Sequence, residues 1–193
     1  YQIPTDMEEQ KAISSAIGDL DNYITKLNQL IEKKRNIKKG TMQELLTGRR
    51  RLPGFSGAWI EQPYEDVFKR INAKKHQIKT AEYNETGIYP VVDQGQDRIV
   101  AYSDNKEKLF HCPNSGIIVF GDHTRIIKYI DFDFLVGADG TQLITTIGKN
   151  STRFHYFQLA YKEIPNTGYN RHFKFLKEMM YFVPAYEEQE QIA

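Results

Sequence analysis

A chain of 193 residues, 40% hydrophobic and 12% aromatic, is sized for one globular domain with a real core plus an appendage. Its single cysteine, Cys112, excludes an internal disulfide and any multi-cysteine zinc site, and no apolar run approaches the ~20 residues of a membrane span. The formal charge of +1 does not announce a nucleic-acid binder, but its distribution is uneven: residues 8–51 hold ten Lys and Arg against six Asp and Glu.

No signal peptide is visible, so a cytoplasmic protein is the expectation, and the opening at Tyr1 suggests a true start further upstream. The chain begins with Ile3-Pro4, then Glu8-Glu9-Gln10, with Ile13 three residues on. It closes with Val183-Pro184, then Glu187-Glu188-Gln189, with Ile192 three residues on. A proline stop followed by an acidic helix start therefore brackets the chain, which reads as one unit of a tandem array. Such a unit suits a two-armed molecule with two separated contact points on a long target.

From Ile13 the apolar residues fall at Ile13, Ile17, Leu20, Ile24, Leu27 and Ile31, steps of four and three that make a heptad seam. Thr5 or Asp6 can cap the start, and Glu8 and Glu9 complement the positive end of the helix dipole. Basic residues crowd the later turns as Lys33-Lys34-Arg35 and Lys38-Lys39, either a solvated face or a rail for phosphates or an acidic partner. Gly40 interrupts the pattern, Met42, Leu45 and Leu46 resume it, and Gly48 stops it. A helix over 8–47 would span about 60 Å at ~1.5 Å per residue. So narrow a stripe wants a partner helix from a second copy, in the same parent chain or in another molecule. Packing on the helix's own domain is the alternative.

Arg51-Leu52-Pro53-Gly54-Phe55-Ser56-Gly57 reads as a hinge. Beyond it, strands are expected over 88–92 and 98–102 around a turn at Gly95. A buried strand at 116–120 ends at Gly121-Asp122, further strands cover 126–130 and 142–147, and helices 153–161 and 171–180. The fold class is α+β: a long coiled-coil helix followed by a mixed, mostly antiparallel sheet domain with peripheral helices.

No Walker-type phosphate loop, S-adenosylmethionine fingerprint, Asn-Pro-Pro-Tyr-type motif, G-x-S-x-G elbow or H-E-x-x-H pair occurs. Catalytic residues, cofactors and metal ligands are therefore not expected. His76, His111, His123, His155 and His172 lack metal-ligand spacing. Asp131 and Asp133 imitate a nuclease pair but lie in an aromatic run. A small metal-dependent nuclease and a coiled-coil protein-interaction module remain the alternatives.

What is left is a recognition surface. Gly121-Asp122-His123-Thr124-Arg125 leaves a strand as a turn rich in hydrogen-bonding side chains, and Gln94-Gly95-Gln96 sits on another turn. Tyr169-Asn170-Arg171-His172-Phe173-Lys174 clusters cations with aromatics. Arg can bind guanine bidentately, and Asn or Gln adenine. Singly, each residue also has a structural reading: Asp122 as a turn cap, His123 as a satisfied internal histidine, Phe173 as core. Together, beside a cationic helix, they favour nucleic acid. The candidate DNA contacts are Lys74, Lys75, Gln94, Gln96, His123, Thr124, Arg125, Arg153, Asn170, Arg171, His172 and Lys174.

Lys39-Gly40-Thr41-Met42-Gln43-Glu44-Leu45-Leu46-Thr47-Gly48 with Arg51-Leu52-Pro53-Gly54-Phe55 resembles the conserved spacer region of type I restriction-modification specificity subunits. Pro4 with Glu8-Glu9-Gln10, and Pro184 with Glu187-Glu188-Gln189, resemble the helix-start motif of that family. Tyr89-Pro90-Val91-Val92-Asp93-Gln94-Gly95-Gln96, Gly121-Asp122-His123-Thr124-Arg125, Gly137-Ala138-Asp139-Gly140 and Arg171-His172-Phe173-Lys174 are similar to one class of its target recognition domains.

The resemblance implies a half-size subunit or fragment. Residues 1–7 would end a preceding recognition domain or linker, and 8–48 would form the spacer helix. Residues 49–57 would be a hinge, 58–180 a target recognition domain, and 181–193 the start of a second, truncated helix. A non-catalytic subunit of this kind would read one half of a split site in double-stranded DNA. It would dock methyltransferase subunits that modify adenine and, through them, restriction subunits that cut using ATP. A second half, or a second copy, would pair with it through the seam, the helices antiparallel.

Overall fold

The computed structural model describes residues 5–137, 139–168 and 170–193, so Ile3, Pro4, Ala138 and Tyr169 of the motifs above lie outside the described residues. The chain divides into two compact units, Tyr1–Glu44 and Leu45–Ala193.

The first unit holds most of α1 (Met7–Leu46), 40 residues of unbroken helix. Of the two possible caps, Asp6 takes the role: its Oδ1 accepts the Glu8 amide at 3.0 Å. Lys11 pairs with Glu8 and Arg35 with Glu32, each three residues apart on the helix surface. Gly40 costs about 1 kcal/mol against alanine but does not end the helix. The stop comes at Gly48, whose φ of +70° is a left-handed position that a side chain resists. All six seam residues are exposed, from 40% at Leu27 to 62% at Leu20. Propensity and surface pairs hold an isolated helix only marginally. Covering this stripe, at about 25 cal/mol per Å² of apolar surface, is the large stabilising term still open to it.

The second unit carries the remaining elements. They are β1 (Ile60–Pro63), α2 (Tyr64–Val67), β2 (Phe68–Ile71), β3 (Tyr89–Val92), β4 (Ala101–Ser103), β5 (Ile117–Gly121) and β6 (Ile127–Ile130). After these come β7 (Leu135–Val136), β8 (Thr141–Thr146), α3 (Thr152–Tyr161), α4 (Phe173–Glu178), β9 (Met180–Val183) and α5 (Tyr186–Ile192). Three sheets form: an antiparallel four-stranded one in the order β2-β8-β5-β6, a three-stranded one in the order β4-β3-β7, and the pair β1-β9. Among the strands of the described residues, β3 and β7 alone pair in parallel, through Val91 opposite Leu135 and Val92 opposite Val136. The α+β class therefore stands as read from the sequence.

The apolar run of β5 explains the layering. Ile118 and Phe120 join Phe68, Ile144, Leu159, Leu176 and Tyr181 in one cluster, while Ile117 and Val119 join Val92, Phe134, Val136 and Leu143 in another. Alternate side chains of one strand thus enter opposite cores, and each such burial is worth about 1.5–3 kcal/mol. Two expectations need correction. The helix read over 171–180 spans only Phe173–Glu178, and the chain is extended again from Met180. Strand β9 pairs with β1 across the register Ile60 to Val183, and buries Tyr181, whose hydroxyl donates to the Leu176 carbonyl at 2.7 Å. The fold therefore runs past residue 180.

The closing acidic motif is not a free helix end. Arg51 grips the Glu188 carboxylate with Nε and Nη2, both at 2.6 Å, and the Trp59 indole donates to it at 3.2 Å. Gln189 accepts the Ser151 amide at 2.8 Å and donates to the Pro184 carbonyl at 2.9 Å. The Arg51 that opens the hinge and the Glu188 that opens α5 are thus one forked ion pair, and the hinge is pinned at that end.

Candidate nucleic-acid interface

Most of the candidate residues fall on loops after β3 and β5 and before α4, and hydrogen bonds tie these loops and the one after β7 together. Strand β5 ends in a tight turn: the Gly121 amide donates to Ile126 at 2.8 Å and the Arg125 amide to Gly121 at 2.7 Å. Closing it puts Arg125 at φ +64°, costing on the order of 1 kcal/mol for a non-glycine residue. Thr124 Oγ1 donates to the Gln94 carbonyl at 2.6 Å, and Gln94 Oε1 accepts the His123 amide at 3.3 Å. Gln94 Nε2 reaches the Asp139 carbonyl at 3.0 Å, and the Asp122 amide donates to Gly140 at 2.7 Å.

Beneath this turn Asp122 is a buried hub, 2% exposed. Its Oδ1 accepts the Phe173 amide at 2.8 Å and its Oδ2 the Gln142 amide group at 3.4 Å. Its carbonyl accepts both the backbone amide of His172 at 2.9 Å and the ring Nδ1 at 3.0 Å. Since a carbonyl only accepts, Nδ1 carries the proton, leaving Nε2 to accept from Thr167. Asp122→Ala strips a charged acceptor from a buried amide. The expected cost is about 2–3 kcal/mol, read as a lower urea midpoint with unchanged slope.

The structure therefore sorts the candidates. Gln94 and Thr124 are turned into loop-to-loop bonds, and Arg125 donates to the Ile164 carbonyl at 3.2 Å. His172 is fully buried and offers no atom to a surface ligand. His123 is half-buried in the same turn. Lys74 and Lys75 stand exposed on a single turn, as do Asn170, Arg171 and Lys174 around the start of α4. Asn170 donates to the Thr167 carbonyl within its own turn, and Lys174 lies 5.0 Å over the Phe175 ring.

Gln96 and Arg153 meet in an open groove of about 560 Å³ between the 96–98 loop, β6 and α3. Among the residues outside the candidate set that line it with them are Arg98, Tyr129 and Tyr156. Arg98 was legible as the next cation after Gln94-Gly95-Gln96. The two tyrosines carried no signal, because an edge strand and a helix bring them together, ring centres 5.7 Å apart.

The suspected nuclease carboxylates do not converge. Asp131 pairs with Arg98, whereas Asp133 takes the Cys112 amide at 2.8 Å and His111 Nδ1 at 2.7 Å. Burial is the largest single effect on the Asp133 carboxyl and pushes it up, but the Cys112 amide and His111 together outweigh it and hold the group below its usual range. Burial first, then Asp133 and Asp131, push the Cys112 thiol up to about 11, so it is no nucleophile at neutral pH. Among the described residues no helix is long and apolar enough to cross a membrane.

No protein-family model matches the chain. It is 24% identical over 125 residues to the EcoR124I/EcoR124II type I restriction enzyme specificity subunit of Escherichia coli, covering 65% of this chain and 30% of that one. Its fold matches the type I restriction-modification S subunit from M. genitalium with a TM-score of 0.64 at 17% identity, over 97% of this chain and 52% of the other. The HsdS subunit from Thermoanaerobacter tengcongensis matches with a TM-score of 0.54 at 16% identity, over 96% and 49%. The chain thus spans about half the length of these solved subunits. The chain is thus similar to type I restriction-modification specificity subunits, in sequence over 125 residues and in fold over about half of each solved subunit.

Proposed function

We propose that this chain is the DNA-recognition half of a type I specificity subunit, reading one half of a split site in double-stranded DNA and carrying out no chemistry itself. In this reading the target recognition domain, first read as 58–180, runs from 58 through the end of β9 at Val183, and 8–48 is the spacer, joined to it by the 49–57 hinge. Residues 1–7 belong to the preceding domain or linker, and within 181–193 it is α5, Tyr186–Ile192, that begins the second conserved helix. Methyltransferase subunits dock on the assembly and bring restriction subunits with them, in the cytoplasm.

The observation that carries this reading is the exposed seam of α1 on a chain whose fold follows one half of solved specificity subunits. A stripe of six aliphatic residues in water favours a second helix. A second copy, or the other half of a longer subunit, supplies it, and two copies related by a twofold axis would read a palindromic, gapped site.

Light scattering over a concentration series tests the pairing. The intact chain should be a dimer at micromolar concentration, and Leu20→Glu with Ile24→Glu should make it a monomer with its helix content largely kept. Sequence selection on the dimer should return a gapped palindrome, bound with an affinity that falls steeply as salt rises. An intact chain that stays monomeric removes the self-pairing. Salt-independent or absent DNA binding removes DNA recognition.

A further inference from the structure

We propose that Arg98 is a base-reading residue of this domain, aimed by Asp131 and Phe132, and that Arg153 across the same groove grips the DNA backbone. This rests on the DNA-recognition reading above and assigns its contacts to the groove between the 96–98 loop, β6 and α3.

Three observations carry it. Arg98 is exposed but oriented: Nη2 donates to Asp131, and its guanidinium carbon lies 5.1 Å over the Phe132 ring. A guanidinium has five donors in a rigid fork. With one spent on the carboxylate and one face on the ring, the fork keeps a free edge in a defined direction. That is the geometry a bidentate contact to guanine O6 and N7 requires.

The loop that presents it is fastened from below. Buried Lys128 donates to the Asp97 carbonyl at 2.7 Å, the Gly95 amide closes on Asp93 Oδ1 at 2.7 Å, and Gln94 is bonded on both sides. Gln96 and Arg98 thus stand out from a pinned loop, and little ordering entropy is left for binding. The hydrogen-bonded turn at residues 121–125 supplies that rigidity.

The wall opposite is also set. Tyr129, its hydroxyl on the Ser115 carbonyl at 3.0 Å, lies against Tyr156 one turn along from exposed Arg153. Asp131 sits in the groove paired with Arg98, and Arg153 is the exposed cation that α3 brings to the same groove. Arg125, the more obvious candidate from sequence, is half-buried and turned toward the Ile164 carbonyl, whereas Arg98 is exposed.

The test is quantitative binding of the full chain to its selected DNA and to scrambled DNA, across a salt series. Arg98→Ala should weaken selected DNA roughly 10- to 100-fold while scrambled DNA changes little, and repeated selection should show one position relaxed in each half-site. Arg98→Lys keeps the charge but not the fork and should show the same loss of discrimination. Asp131→Asn frees the fork to turn and should lose part of it. Arg153→Ala should weaken both DNAs alike and lower the salt slope by about 1. These side chains are exposed, so thermal melts should match the unaltered protein. Equal losses on both DNAs for Arg98→Ala, or none, overturn the assignment while DNA recognition stands. DNA binding left intact while methyltransferase binding is lost makes the groove a protein contact and overturns it too. Failure of the unaltered chain to bind DNA removes both.

Discussion

Gly121→Ala should destabilise the protein by about 3 kcal/mol, although it adds only one methyl group. A Cβ at this position would lie 2.1 Å from Thr124 Oγ1 and 2.9 Å from the Gln94 carbonyl oxygen. Thr124 can yield only by giving up its bond to Gln94 at 2.6 Å and the Ile126 amide it accepts at 3.3 Å. The backbone of Gln94 has nowhere to retreat, since its loop is also bonded through Asp93, Asp97 and Gln94 itself. For a unit of this size the loss lowers Tm by about 10 °C. Because the nearest clash is with one side-chain oxygen, Gly121→Ala with Thr124→Ala should be less destabilised than the two single losses added together. A Gly121→Ala protein that melts with the unaltered one would mean the β5 turn is looser than its hydrogen bonds imply.

What was legible in the sequence was local. The seam of α1 needs only its three-four spacing, and the four apolar residues of β5, Ile117 to Phe120, needed only their run length. The β3 and β4 strands follow from turn chemistry at Gly95. Strand β1 was not legible: Ile60-Glu61-Gln62-Pro63 is polar with a terminal proline, and it is a strand only because β9 arrives beside it from 120 residues away. Two-residue β7 exists by its parallel register with β3. Long-range pairing of this kind overrides propensity.

The candidate site divides along the same line. The motifs marked turns correctly, but Asp122, read as a cap of its own turn, instead accepts the Phe173 amide at the start of α4 from 51 residues away. Which way a side chain leaves a turn depends on what lies across from it. Thr124 meets Gln94 30 residues away, Arg125 meets Ile164, and His172 folds back on Asp122. Glu188 read as a helix-dipole residue, and only the fold could place the Arg51 fork and Trp59 around it. Gln94, Asp122, Thr124 and His172 therefore hold the loops, while Gln96 shares the groove with Arg98 and Arg153, outward cations without a motif.

Acid should remove about 3 kcal/mol of stability through a single residue, His155. It is fully buried, with Phe154 and Phe68 ring centres 5.1 and 5.3 Å away. Nδ1 donates to Gln158 Oε1 at 3.0 Å, and Nε2 is buried with no hydrogen-bond partner among the described residues. A proton on Nε2 would place a charge where nothing solvates it. Burial therefore lowers the pKa to about 4, against a smaller upward pull from Gln158. In the unfolded chain the ring titrates near 6.5. Between those values the unfolded state binds the extra proton, so stability rises with pH there. The contribution is complete above about pH 6.5 and is lost progressively as pH falls to about 4; at about 1.4 kcal/mol per unit, that is the 3 kcal/mol. The lowered carboxyls of Glu82, Asp133 and Glu187 add their losses at lower pH, separable from this window. His155→Leu fills the slot without titrating, so its urea stability should stay flat from pH 6.5 to 4.5 while the unaltered protein weakens. Parallel curves for the two would mean that the ring already finds a partner for Nε2, and that the acid sensitivity lies elsewhere.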